Sequence, residues 1–276
     1  MIDVLLDTLL DIVKLLPFLF VSFLILELLE HKLSNKSKKV ITSSGKFGPF
    51  VGALLGGIPQ CGFSVLATNF YVTRVITLGT LIAIYLSTSD EMLPILIANQ
   101  VPIIEIVKIV GLKIGIGMVV GFIIDFITRS TVKENFNICE HEHCDCDHSL
   151  IKSTTIHTLK TLLFIGIATL ILNTVFHFVS EDAIKELFLS NYVIGSFLSP
   201  LLGLIPNCAA SVILTELYLN GVLSLGTAIG GLLTGSGVAI LVLFKNNKNL
   251  KENLKIVAII YTIGVISGLI LNIIGI

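Results

Sequence analysis

The sequence has few charged residues and no tryptophan. Of its 276 residues, 13% are charged and 54% are hydrophobic, and the mean hydropathy is +0.96. Soluble domains carry about 25% charged residues, so this chain has too little charge to cover a surface in contact with water. The composition predicts an all-α polytopic membrane protein whose main partner is the lipid bilayer. The net charge of -1 excludes a nucleic-acid partner, which would need a cationic face.

The chain also lacks the motifs of several enzyme classes. It contains neither a GxxxxGK[ST] phosphate-binding loop nor an HExxH sequence, so nucleotide hydrolysis and zinc proteolysis are not predicted. Its five cysteines are an odd number, two in apolar stretches and three in one polar loop. A disulfide framework is therefore not expected, and the cysteines are more typical of ligands for an ion.

Long apolar stretches make up most of the chain. A membrane-spanning helix needs about 20 apolar residues, and polar breaks divide the sequence into eight stretches near that length. They comprise residues 12–29, 47–71, 75–97, 103–127, 157–179, 192–219, 222–244 and 254–274.

The two halves of the sequence are internal duplicates. Cys208 lies 147 residues after Cys61, and the same shift aligns residues 48–96 with 195–243 without a gap, with 20 of the 49 pairs identical. Shared apolar composition would align leucines and isoleucines by chance, but it would not align proline, cysteine, serine, threonine and tyrosine as well. The repeat therefore defines the architecture.

The lysines indicate that the duplicates have opposite orientations, since cytoplasmic loops are enriched in Lys and Arg. Residues 31–46 contain five lysines and no acid, whereas their counterpart 180–190 contains three acids and one lysine. Residues 98–104 are uncharged, whereas residues 245–255 contain four lysines. This pattern predicts two inverted-topology repeats in a bacterial-type inner membrane, with both termini outside.

An inverted repeat needs an odd number of crossings per half, yet each half has four apolar stretches. We expect residues 47–71 to be re-entrant, turning at Pro59 and returning to Arg74 on the same side. In the alternative, this stretch crosses once and residues 75–97 are re-entrant. Either arrangement requires discontinuous or re-entrant helices.

The motif GxIPxC-x2-SV-x2-T occurs at residues 56–68 and again at residues 203–215. Glycine and proline interrupt a helix, and backbone groups freed at membrane depth must be buried in protein or line a wet cavity. Proline suits the first turn of the next helix, so each cysteine is expected at a helix amino terminus, where its thiolate is favoured. The hydroxyls that follow share a helix face, although such groups also pack helices and bond to carbonyls. The predicted substrate-binding residues are Pro59, Gln60, Cys61, Ser64, Thr68, Pro206, Asn207, Cys208, Ser211 and Thr215.

A second interruption lies in the next stretch, at residues 87–91 and their counterparts 234–238. Hydroxyls and carboxylates there suit a cation or a proton relay, with a helix cap as the alternative. Glutamates near the starts of two later helices are instead predicted to form surface ion pairs, Glu105 with Lys108 and Glu252 with Lys255. The predicted coupling residues are Ser89, Asp90, Glu91, Glu216 and Ser236.

The central segment is rich in metal ligands. Residues 139–148 contain three thiols, three imidazoles and four carboxylates, and their spacing matches no fixed zinc motif, so we expect an accessible chelating loop. A solvated acidic linker is the alternative. The predicted metal ligands are Cys139, His141, His143, Cys144, Cys146 and His148. The chain then divides into a membrane repeat (1–127), a cytoplasmic His/Cys-rich loop (128–156) and a second, inverted repeat (157–276).

The duplicated motif with its His/Cys-rich connection resembles the bacterial family of ten-segment heavy-metal exporters, whose members are labelled arsenic efflux proteins or manganese transporters. The resemblance covers essentially the whole chain. It implies a secondary transporter rather than an enzyme, one that exports a heavy-metal or metalloid ion by alternating access at the two Pro-x-Cys breaks. No permanently bound cofactor is expected, and a proton or sodium gradient would supply the energy.

Several alternatives stay open. Thiolates favour an arsenite-like species, whereas oxygen ligands favour a divalent metal such as manganese, and the two cysteines with many hydroxyls support neither outright. An intramembrane metal-dependent enzyme and a membrane metal sensor are the alternative functions, and a homo-oligomer is a further expectation.

Overall fold

All regular elements in the described part of the chain are helices. The computed structural model describes residues 47–58, 61–89, 92–128, 150–178 and 192–275, together with positions 13, 16, 17, 20, 21 and 24. The helices are α1 (Gly48–Gly56), α2 (Cys61–Val72), α3 (Leu78–Ser87), α4 (Met92–Ala98), α5 (Ile103–Thr128), α6 (Leu150–Phe178), α7 (Tyr192–Gly203), α8 (Cys208–Leu219), α9 (Leu225–Thr234), α10 (Ala239–Asn246) and α11 (Leu250–Ile274). The all-α prediction is confirmed for these residues.

Five segments of the described chain are long and apolar enough to cross a membrane. They are Leu78–Ala98, Ile103–Thr128, Thr154–Ile171, Leu225–Asn246 and Leu250–Ile274. The first and fourth combine a helix, a break and a second helix. These two segments lie in the interior of the helix bundle. In their most apolar stretches of 18 residues, 69% and 83% are buried, against 22% and 33% in the corresponding stretches of α5 and α11.

The helices repeat with the period of the sequence. Helices α2, α3, α4 and α5 begin 147 residues before α8, α9, α10 and α11, respectively, as Cys61 and Cys208 illustrate. The same local signals produce them, because Thr77 and Ser224 cap α3 and α9 by accepting a bond from the backbone N–H three residues later, each at 3.2 Å. Helix α6 begins at Leu150, inside the segment predicted as a loop.

Each half packs α3 or α9 between two neighbours. Helix α3 contacts α1 and α5, and α9 contacts α7 and α11 in the same way. Glycine permits this close approach, since a side chain at Gly121 would lie 2.7 Å from the carbonyl oxygen of Gly79 and 2.8 Å from Ala83. Small residues at helix contacts are typical of helix packing in membranes.

Helices α1 and α2 form a hairpin against α3. Gly48 packs on Thr80 and Gly56 packs on Ser87 and Ile84, so α1 runs parallel to α3. Helix α2 then leads the chain back to the start of α3. Both ends of the hairpin lie beside the first turn of α3, which is the shape expected for a re-entrant segment. Its passage into a bilayer stays a prediction.

Reciprocal contacts join the halves. Helix α2 packs on α10, and the equivalent helix α8 packs on α4, while α3 and α9 contact each other. A contact pattern that is unchanged when the halves are exchanged is characteristic of a two-fold relation. Whether the halves are inverted across the membrane stays a prediction.

Replacing Gly121 with alanine should destabilise the protein, because the new methyl group would meet the backbone of α3. Overpacking of this kind costs about 1–3 kcal/mol, and thermal unfolding in detergent should show it as a lower Tm. Gly111→Ala is the matched control on the same helix, since nothing lies within 4 Å of the added atom. Equal Tm values for the two variants would contradict this packing.

Candidate functional site

The Pro-x-Cys breaks separate α1 from α2 and α7 from α8. Cys61 and Cys208 are the first residues of α2 and α8, so both lie at a helix amino terminus as predicted. Buried Asn207 is the N-cap, and its side-chain oxygen accepts a bond from the Ala209 N–H at 3.3 Å. Pro206 precedes this cap instead of lying in the first helical turn. Pro59, Gln60 and the side chain of Cys61 lie outside the described residues.

The predicted hydroxyl stripe bonds mainly to its own helices. Thr68 donates to the Ser64 carbonyl and Thr215 to the Ser211 carbonyl, both at 2.7 Å, and Ser211 donates to the Cys208 carbonyl at 2.8 Å. These hydrogens satisfy carbonyls within α2 and α8, which is the packing role described for such residues. The hydroxyl oxygens keep acceptor capacity.

Tyr85 connects the stripe to the other half, and the sequence reasoning missed it. It is fully buried, and its hydroxyl lies 2.5 Å from Thr68 Oγ1 and 3.5 Å from the carbonyl oxygen of Ala239. Ala239 is the first residue of α10, directly after the second-half break. A tyrosine within an otherwise apolar stretch is the signal that could have identified it.

The second breaks lie between α3 and α4 and between α9 and α10. Ser87, Thr88 and Ser89 are buried at the first, and Ser236 is buried at the second. Asp90 and Glu91 lie outside the described residues. Because Gly56 packs on Ser87 at the end of α3, the two breaks of the first half lie at the same level of the bundle.

A buried lysine stabilises the first of these breaks. Lys113 lies within α5, is only 1% exposed, and its ammonium donates to the carbonyl of Thr88, the C-cap of α3. A cation at this position complements the negative end of the α3 dipole. Lysine is rarely buried in a spanning helix unless it has a function. The position of Lys113 within an apolar stretch could therefore have identified it as a candidate functional residue.

Glu216 differs in burial from Ser89 and Ser236, the other predicted coupling residues that the structure describes. Its side chain is exposed on α8. The equivalent residue of the first half, Asn69, is buried and accepts a bond at 2.9 Å from Asn246 of the second half. The two halves therefore differ chemically at this position.

Two equivalent tyrosine–glutamate contacts cross between the halves. Tyr71 donates to Glu252, and Tyr218 donates to Glu105 at 3.2 Å. Each tyrosine and each glutamate is 147 residues from its counterpart, so the contacts are reciprocal. The predicted surface ion pairs were wrong, because the structure gives both glutamates partners on the opposite half.

Only one of the two contacts carries an arginine. Arg74 donates to both carboxylate oxygens of Glu252 at 2.8 and 3.0 Å, and this hydrogen bonding raises the pKa of Arg74. Its counterpart is Gly221, and both residues have a left-handed backbone, with φ of 61° and 71°. The Glu252 contact is therefore the stronger one.

The described residues contain no group of three His, Cys, Asp or Glu side chains close enough to hold a metal ion. The predicted chelating residues Cys139, His141, His143, Cys144, Cys146 and His148 lie outside the described ranges. Their role stays a prediction, as does the ligand role of Cys61 and Cys208.

Apolar spanning segments, interrupted in the protein core where polar groups are buried, define a multi-pass helical membrane protein. The chain belongs to the family described as a putative, 10TM heavy-metal exporter, whose sequence profile it matches over residues 1–181 and 159–276. The resemblance based on the duplicated motif is thus confirmed. No curated protein and no solved structure matches the chain.

Glu252→Gln should destabilise the protein more than Glu105→Gln, because only Glu252 pairs with an arginine. The pair is partly exposed, at 43% for Arg74 and 20% for Glu252, so we expect a coupling energy of about 1 kcal/mol. A double-mutant cycle with Arg74→Gln, read by unfolding in detergent, measures it. A coupling energy near zero would show that the pair contributes nothing to stability.

Proposed function

We propose that this protein is a secondary transporter that exports a heavy-metal or metalloid ion from the cytoplasm. The observation that carries the proposal is the pair of interrupted helices, α3–α4 and α9–α10, which are the most buried spanning segments and contact each other in the core. Interrupted helices of paired repeats form the ion and substrate sites of many secondary transporters. The family description supports the same class of function.

The substrate site in this proposal lies at the two Pro-x-Cys breaks. Cys61 and Cys208 begin their helices, and the positive end of a helix dipole favours a thiolate. Hydroxyl oxygens of Thr68 and Thr215 lie about two turns further along the same helices. Thiolates with nearby oxygen donors suit arsenite-like species or a divalent transition metal.

The reciprocal contacts supply two gates for alternating access. Tyr71 with Glu252 and Tyr218 with Glu105 join equivalent pairs of helices, so a cycle that opens one contact while keeping the other would exchange two related conformations. If the halves are inverted, the two contacts lie toward opposite sides of the membrane. The lysine-rich loops favour a cytoplasmic position for the central segment, from which it would supply metal in this proposal.

The first experiment is a metal-sensitivity panel in cells that lack and then overproduce the protein. Export lowers the cytosolic ion concentration, so overproduction should raise tolerance to the transported ion. The comparison of arsenite with manganese, zinc and copper identifies the substrate. Unchanged tolerance to every ion in the panel, with the protein present in the membrane, would contradict export.

Substitution of both membrane cysteines should strongly reduce transport of a soft ion. Cys61→Ser with Cys208→Ser removes the thiolates, and uptake into inverted vesicles should fall at least tenfold, which corresponds to about 1.4 kcal/mol of lost binding. The control is the triple Cys139, Cys144 and Cys146 to serine variant, which should only modulate uptake because it alters the loop. Full uptake by the double variant would exclude a thiolate site.

An arginine at the weaker gate should slow the transport cycle. Gly221→Arg places a guanidinium near Glu105 on a backbone that already has the left-handed conformation of Arg74. An added ion pair of about 0.5–1 kcal/mol would favour the closed contact and reduce turnover about two- to fivefold. Gly221→Gln imposes the same backbone cost without the charge, so equal turnover of the two variants in proteoliposomes would argue against this gate.

A further inference from the structure

The two halves differ at one buried position beside their second breaks. In the first half, Lys113 brings an ammonium group to the carbonyl of Thr88. The equivalent residues of the second half are Ile260, which is also completely buried, and Gly235. The first break thus receives a positive charge from the chain itself. The equivalent position on α11 therefore carries an apolar side chain in place of the amine.

The second break also contains an unsatisfied hydroxyl. Ser236 is 0% exposed, and its Oγ has no hydrogen-bond partner among the residues that the structure describes. Its counterpart Ser89 donates to the Ser87 carbonyl at 3.1 Å. A buried polar atom without a partner is unfavourable unless a water molecule or an ion completes its coordination. The Ser236 hydroxyl therefore marks a point in the second break where a water molecule or an ion would complete the coordination.

The donor groups at the second break restrict the chemistry of that ligand. Residues 234–239 contain hydroxyls and backbone carbonyls but no acid, and the break follows the carboxyl end of α9, where the helix dipole is negative. Divalent cations are usually held by carboxylates. Neutral oxygens beside a helix carboxyl terminus suit a hard, singly charged cation. A serine hydroxyl does not titrate near neutral pH, so these groups do not form a proton carrier.

We propose that an alkali cation, sodium or potassium, binds at the second break between the Ser236 hydroxyl and the backbone carbonyl of Gly235. It takes the place that the Lys113 ammonium occupies at the first break. The inference rests on the proposed transporter function, for which it names the coupling ion. The first half already carries the tethered amine of Lys113 at this position, so we expect one exchangeable alkali cation per molecule.

The test is the thermal unfolding of the purified full-length protein in detergent with sodium, potassium or choline chloride at constant ionic strength. Binding to the folded state raises Tm in proportion to the logarithm of ligand concentration above its Kd. We expect a rise of a few degrees that grows with the concentration of one alkali cation, and no rise with choline. Equal Tm values in all three salts would overturn the proposal.

Substitutions at the second break test whether the alkali cation that raises Tm binds there. Ser236→Ala should remove most of the alkali response, and Ile260→Lys should remove all of it by supplying the ammonium found in the first half. Thr262→Ala is the control, because this exposed hydroxyl of α11 bonds to the carbonyl of Ala258 in its own helix, and it should keep the full response. A response that survives both Ser236→Ala and Ile260→Lys would place the cation elsewhere and refute the assignment. If Ile260→Lys does not fold, Ser236→Ala alone decides.

Metal uptake in proteoliposomes separates this inference from the proposed function. Uptake that persists without sodium and potassium, together with no alkali effect on Tm, would refute the coupling site and leave the exporter intact. An alkali effect that is lost in Ser236→Ala, in a protein that moves no metal, would refute the exporter and leave the cation site. Uptake that depends on one alkali cation in the wild type and not in Ile260→Lys is the expected result.

Discussion

The central constraint on this protein is that backbone groups freed at a helix break in apolar surroundings must find partners within the protein. The chain has few polar residues, and several of them meet this need. Asn207 caps α8, Thr77 and Ser224 cap α3 and α9, and Lys113 binds the carbonyl that ends α3. The Thr234 hydroxyl donates to the carbonyl of Pro200, at 2.8 Å. The sparse polarity of the sequence is thus concentrated where the helices stop.

The features predicted correctly from the sequence depend on local rules. Helix starts at Cys61 and Cys208 follow from glycine and proline, which interrupt the backbone ladder wherever they occur. The duplication could be recognised because one fixed shift of 147 residues aligns the two halves, and the first residues of four helices repeat with the same shift. The family likewise followed from a motif of 13 residues present twice.

The features that were missed depend on contacts between distant residues. Glu252 has a lysine three positions away, which is the favourable helical spacing, yet its partners Tyr71 and Arg74 are about 180 residues earlier in the chain. Tyr85 meets Ala239 in the same way. Such pairs arise only when the halves are packed together, so the spacing and composition of one segment can mark a residue such as Tyr85 but cannot identify its partner.

Helices α2 and α8 each pack against a helix of the opposite half, and this arrangement has a mechanical consequence. Each is the second limb of its own half's Pro-x-Cys element, yet α2 rests on α10 and α8 rests on α4 of the opposite half. By contrast, α3 and α5, like α9 and α11, belong to the same half, and glycines at their contacts let their backbones pack closely. In the proposed transport cycle, a shift of one limb would therefore be transmitted to the broken helix of the other half. The two halves are thus connected so that a movement of either hairpin would displace a helix of the opposite half.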